Sequence, residues 1–147
     1  MAMMRNNDFH LQWSSLPMDY KADVISLLYA EDEPQARKLL EQMLRRRFPG
    51  LPIHVAADGE QGIALFEQYR PTIVVTDINM PVLDGGEMIE RIRAIDPCAV
   101  IIAITAFSDP HWKNKCKTLK LDCCITKPMD FNYLFKAIET SLLKSIR

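Results

Sequence analysis

Five short runs rich in apolar and β-branched residues constrain this 147-residue chain more than any other feature. They are VISLLYA (24–30), IHVAA (53–57), TIVVT (72–76), AVIIAIT (99–105) and LDCCIT (121–126). A strand with one wet face alternates polar and apolar residues. Most of these runs do not alternate, which predicts strands buried on both faces. Between them, hydrophobic residues recur at helical spacing: Leu39, Leu40, Met43, Leu44 and Phe48; Ile63 and Phe66; Met88, Ile89, Ile92 and Ile95. The last stripe is Phe131, Leu134, Phe135, Ile138 and Leu142, opened by Asp130 as a cap. Pro34 fits the first turn of a helix that Pro49-Gly50 ends. Asp109-Pro110 reads as a cap and first residue of a helix running to about Leu119. Strand and helix thus alternate five times. Right-handed crossovers then predict an α/β, doubly wound, five-stranded parallel sheet covered on both sides.

The rest of the chain excludes several classes. A formal net charge of -1 offers no global attraction to nucleic acid or to an anionic membrane. The basic run Arg45-Arg46-Arg47 closes a predicted helix, where cations complement the helix dipole. Cys98, Cys116, Cys123 and Cys124 lack metal-site spacing, and reduced thiols in a cytoplasmic protein are expected. No stretch is long and apolar enough to span a bilayer. Residues 1–23 show no sustained period and read as a loosely ordered extension before a domain at 24–147, although Trp13 and Leu16 offer apolar groups that can dock.

In open parallel sheets, ligands bind beyond the carboxyl ends of the strands. Here the first strand ends in Glu31-Asp32, the third in Asp77, the fourth in Thr105-Ala106 and the fifth in Thr126-Lys127-Pro128. Three carboxylates, a hydroxyl and an ammonium therefore converge on one edge. Three like charges raise one another's proton affinity, and a divalent cation removes that conflict. Carboxylates with a backbone carbonyl and waters suit Mg²⁺, and Lys127 supplies a mobile point charge for phosphate oxygens. A phosphoryl group on Asp77 would meet a cation, an ammonium and a hydroxyl donor, as phosphoryl transfer requires. Singly, each residue has a bland reading: Asp77 as a turn residue, Lys127 as a solvated side chain, Glu31 and Asp32 as helix-terminus charges. Their joint order along the strand ends is what points to a site.

At this point the sequence resembles the receiver domain of two-component response regulators. "EDE" at 31–33 resembles that family's acidic pocket, and "DINMPVLDG" at 77–85 its D-x-x-M-P-x-x-D-G signature around the phosphoacceptor. "TA" at 105–106 resembles the switch Thr and its small neighbour, and "KP" at 127–128 the Lys-Pro pair whose peptide bond is usually cis. The resemblance covers residues 24 to 146. It implies the flavodoxin-like receiver fold with strand order 2-1-3-4-5. It implies Asp77 as acceptor of a phosphoryl group from a histidine kinase or phosphotransfer protein. Mg²⁺ would be held by Asp32, Asp77, the Asn79 carbonyl and, through water, Glu31. Thr105, Ala106 and Lys127 would bind the phosphoryl group and switch the surface of the fourth helix, fifth strand and fifth helix. Such a protein is a signalling receiver that catalyses only its own phosphorylation and dephosphorylation.

The pattern departs in two places. Glu31 stands where many members have Asp. Cys124 stands three residues before the Lys, where the family often has Tyr or Phe. The usual ring movement cannot occur at Cys124, and Phe107 and Trp112 are the aromatic residues placed to report a change at Thr105. Three rivals stand beside this reading. A haloacid-dehalogenase phosphatase resembles D-x-D after the first strand, not an Asp on the third. A flavin protein wants a hydroxyl- and Gly-rich phosphate loop where this chain has "AEDEP". The third is a receiver-like scaffold that never accepts phosphate. No effector segment follows the last predicted helix, so a single-domain regulator is expected over a receiver cut from a longer protein.

Overall fold

The computed structural model describes residues 25–106, 114 and 117–146. Its strands are β1 (Leu27–Ala30), β2 (Ile53–Ala56), β3 (Ile73–Asp77), β4 (Val100–Ala106) and β5 (Cys123–Lys127). All four pairings are parallel and the order is β2-β1-β3-β4-β5. This is the doubly wound sheet and the strand order that the sequence implies. The helices are α1 (Pro34–Arg47), α2 (Gly59–Tyr69), α3 (Gly85–Ile95) and a C-terminal helix (Phe131–Ile146). Most of the helix expected at 110–119, with Phe107, Ala106's side chain and Trp112, lies outside the described residues, as does the extension 1–23. Residues 114, 117 and 118 are helical.

The pleat sends alternate residues to opposite faces, and each face buries its own core. Leu27, Tyr29, Ile73, Val75, Ile102, Ile104 and Ile125 meet Leu40 and Leu44 of α1 and Leu134, Ile138 and Leu142 of the C-terminal helix. Leu28, Ala30, Val74, Ile101 and Ala103 meet Phe66 of α2 and Met88, Ile89 and Ile92 of α3. Continuous apolar runs in the sequence are the direct result of these two cores. Phe48 and Phe135 pack edge to face at 6.2 Å and tie α1 to the C-terminal helix. An ion pair between Arg47 and the buried Glu139 joins the same two helices.

Side chains at the helix starts set the entry angles. Glu33 caps α1 by accepting from the Gln35 and Ala36 backbone N–H groups at 3.1 and 2.6 Å, with Pro34 at the first helical position. Asp58 and Asp84 do the same for α2 and α3 through Gln61 and Glu87. Asp130 accepts from the Asn132 N–H at 2.9 Å at the start of the C-terminal helix.

Two details differ from the sequence expectations. Leu39 belongs to the predicted apolar stripe of α1 but is 52% exposed. Leu40, Leu44 and Phe48 already fill the space under the helix, and Leu39 lies about 100° round from Leu40. β5 begins at Cys123, two residues later than predicted. Asp122 is held in the preceding turn, where its carboxylate accepts from the Ile101 N–H at 2.7 Å and from Arg93 at 3.5 Å. Among the described residues, no helix is long and apolar enough to cross a membrane.

Candidate functional site

The site lies at the carboxyl edge of the sheet. β1 delivers Glu31 and Asp32, and β3 ends on Asp77. One carboxylate oxygen from each of the three lies within 4.8 Å of the others. Glu31 and Asp77 are buried, at 6% and 5% exposure, while Asp32 is half-buried. From the other side, the Lys127 Nζ donates to Asp77 Oδ2 at 2.6 Å. The Asn79 N–H donates to the other oxygen, Oδ1, at 3.1 Å. Both oxygens of Asp77 are therefore engaged, and the carboxylate is fixed in orientation.

Thr105 is buried at the end of β4, in register with Thr126, and Ala106 is in register with Lys127. The Lys127–Pro128 peptide bond is cis. The sequence-predicted residues Glu31, Asp32, Asp77 and Lys127 are thus brought together directly. Thr105 shares the same edge, and the exposed Asn79 stands two residues beyond Asp77. Cys124 is exposed and in register with Ala103. It lies one strand position from Cys123, which packs against the opposite core.

Electrostatics fit this crowding. Burial first, then the Asp77 charge, raises the Glu31 carboxyl to about 7 despite the opposing Lys127 charge. Burial alone would lower Lys127, but its hydrogen bond to Asp77 and the charges of Asp77, Glu31 and Asp32 outweigh that and raise it. Glu31 Oε2 is buried and accepts no hydrogen bond. Asp77 and Asp32 are among its neighbours, and a hydrogen bond between two carboxyls requires a proton on one of the pair. Three carboxylates that each bring an oxygen within 4.8 Å of the others, two of them buried, fit a divalent cation of the Mg²⁺ type.

Several contributors were not legible in the sequence. Arg37 of α1 donates from one nitrogen to the Glu31 and Asp32 carbonyls, at 3.0 and 3.2 Å, and so pins the acidic turn. The run "EDE" divides its labour: two residues face the cluster and Glu33 caps the helix. Gly85 lets the start of α3 approach the end of β3. A Cβ there would collide with the Asp77 carbonyl oxygen and lie 2.8 Å from Ile78 Cα. The Asp-Gly pair of the signature is the sequence signal for it. The loop between β3 and α3 buries Ile78, Met80 and Leu83 and turns Val82 outward at φ 69°. A cavity of about 300 Å³ opens beside the carboxylates, lined by Tyr29, Leu39, Leu40, Met129 and Phe131 with Glu31, Asp77 and Lys127 at one end.

Comparison with known proteins agrees with this geometry. The response regulator receiver domain family matches residues 27–139. The chain is 30% identical over 132 residues to the transcriptional regulatory protein TrcR of Mycobacterium tuberculosis. That match covers 88% of this chain and 51% of TrcR, so the chain spans about half the length of this curated relative. Among solved structures, the N-terminal domain of an uncharacterized Wolinella succinogenes protein superposes with a TM-score of 0.77 at 32% identity, covering 83% of this chain and 97% of that one. A CheY-like response regulator receiver domain protein of Methanospirillum hungatei gives 0.75 at 22% identity, covering 83% and 96%, and shares the fold.

Proposed function

This chain belongs to the response regulator receiver domain family, and from that premise we propose that Asp77 accepts a phosphoryl group from a phosphohistidine of a partner histidine kinase or phosphotransfer protein. The observation that carries the reading is the placement of Asp77: buried at the end of β3, bonded to Lys127 at 2.6 Å, and clustered with Glu31 and Asp32.

In the proposed transfer, an Asp77 carboxylate oxygen attacks phosphorus. The new P–O bond forms as the P–N bond breaks, and the donor imidazole leaves with the electron pair. Mg²⁺ held by Asp32, Asp77, the Asn79 carbonyl and Glu31 would neutralise charge on the phosphoryl oxygens. The Lys127 ammonium, now paired with Asp77, exchanges that partner for a phosphoryl oxygen. The Thr105 hydroxyl offers a further donor. Fixed positions and charge neutralisation are the catalytic contribution, since the protein supplies little covalent chemistry beyond the nucleophile. The engaged Lys127 and Thr105 sit on β5 and β4, so occupancy at Asp77 is felt on the surface that β5 and the C-terminal helix share with the segment before them. That surface is the proposed output to a downstream partner in the cytoplasm.

Acetyl phosphate with Mg²⁺ tests the assignment. Wild type should gain one phosphate by intact mass, and Asp77→Asn should gain none. An adduct on the variant at the wild-type level refutes Asp77. A non-phosphorylated receiver-like scaffold is the second reading, favoured by exposed Cys124 at the position where the family often has an aromatic ring. Absence of an adduct on wild type would support it.

A further inference from the structure

Tyr29 and Glu31 lie at positions i and i+2 of one extended segment, so their side chains leave the same face. Tyr29 is 3% exposed within the core shared with α1 and the C-terminal helix. The neighbouring strand positions on that face, Leu27, Ile73, Val75, Ile102 and Ile104, are all aliphatic. Packing alone gives no reason for a hydroxyl there, and a buried phenol ordinarily finds a hydrogen-bond partner. Burial and neighbouring charges act on the Tyr29 phenol, and its oxygen is not among the fully buried atoms left without a partner, as expected for a hydroxyl that opens onto a cavity. Glu31 Oε2, two residues along, is buried without a hydrogen-bond partner.

Both residues line the cavity of about 300 Å³ that reaches Asp77 and Lys127. Tyr29 thus borders the same space as the carboxylates of Glu31 and Asp77. A water occupies about 30 Å³ in the liquid and needs two to four polar partners. The cavity has the room, and the two groups supply a donor and an acceptor.

We propose that Tyr29 is a positioning residue for Glu31: its phenol O–H donates to a water held in this cavity, and that water donates to Glu31 Oε2. The relay fixes the carboxylate and leaves its other oxygen for a cation. This rests on the reading of the acidic cluster as a divalent-cation site. Removing an outer partner of a metal ligand costs roughly 10- to 100-fold in metal affinity. A relay through water should fall at the lower end, about tenfold.

The test is calorimetric titration of Mg²⁺ into the full chain, as wild type and as Tyr29→Phe, with unfolding followed in EDTA. Phe keeps the ring and its packing and removes only the hydroxyl. The expected result is about tenfold weaker Mg²⁺ binding, an unchanged unfolding midpoint in EDTA, and a moved Glu31 carboxyl carbon resonance in the metal-free variant. Tyr29→Leu, which also removes the ring, should unfold more easily yet bind Mg²⁺ no more weakly than Tyr29→Phe. Equal Mg²⁺ affinity in wild type and Tyr29→Phe overturns the relay while leaving the cation site intact. Loss of folding in Tyr29→Phe also overturns it, since the hydroxyl would then be structural. If wild type itself binds no Mg²⁺, the reading of the cluster fails and the relay fails with it.

Discussion

Replacing Glu31 with Gln tests how much stability the acidic cluster costs the metal-free fold. Glu31 is buried beside Asp77, and its carboxyl is raised from 4.5 to about 7. A raised carboxyl binds more protons folded than unfolded between those two values. Stability therefore falls as pH rises from about 4.5 to about 7, and the full penalty is present above pH 7. At about 1.4 kcal/mol per pH unit, the ceiling is roughly 3 kcal/mol. Water reaching the neighbouring cavity screens the charge, so about 1–2 kcal/mol is expected at pH 8. Gln mimics the protonated acid in shape and lacks the titration. In EDTA at pH 8, Glu31→Gln should raise the unfolding midpoint by about 3–6 °C, with a clearly smaller gain at pH 5. Saturating Mg²⁺ should reverse the ranking, because wild type gains a ligand that the variant lacks. The assay is thermal unfolding by circular dichroism across pH 5–8, with EDTA or with Mg²⁺. Parallel pH profiles for the two proteins in EDTA would refute the reasoning.

Two further substitutions probe the other sides of the site. Lys127→Arg keeps the charge but not the compact ammonium that bonds Asp77 at 2.6 Å, so labelling by acetyl phosphate should proceed more slowly than in wild type; equal rates by intact mass would remove Lys127 from the site. Gly85→Ala forces a methyl group into the Asp77 and Ile78 backbone and should cost about 1–3 kcal/mol in urea unfolding, with a weakened Mg²⁺ response; a neutral result would show that α3 can withdraw from β3 without disturbing Asp77.

What could be read in advance has a common physical basis. Strand ends were legible because a two-sided core demands apolar runs, and the residue after each run is fixed at the sheet edge. Glu31, Asp32, Asp77 and Lys127 were found in that way, and their convergence follows from strand order. Contacts set by the geometry between elements were not legible. Arg37 reaches back five and six residues to two carbonyls, and many exposed arginines share its spacing without such a role. Nothing local distinguishes the capping Glu33 from its two acidic neighbours. Leu39 joined the stripe by periodicity alone, although the volume beneath α1 was already filled. In the sequence Tyr29 is one more residue of an apolar strand, because the cavity it shares with Glu31 exists only in the fold.

Arg93 lies at the far end of α3 from this chemistry. Its guanidinium donates to the Pro97, Leu119 and Lys120 carbonyls at 3.0, 3.4 and 2.7 Å, and to that of Ala99. With its contact to Asp122, it fastens the turn into β4 to the turn into β5. These contacts tie the amino ends of β4 and β5 together, at the edge of the sheet opposite the one that carries Asp77 and Lys127. Arg93 thus joins, at their starts, the two strands that carry Thr105 and Lys127 at their ends, so one side chain sets how those two ends are spaced from behind.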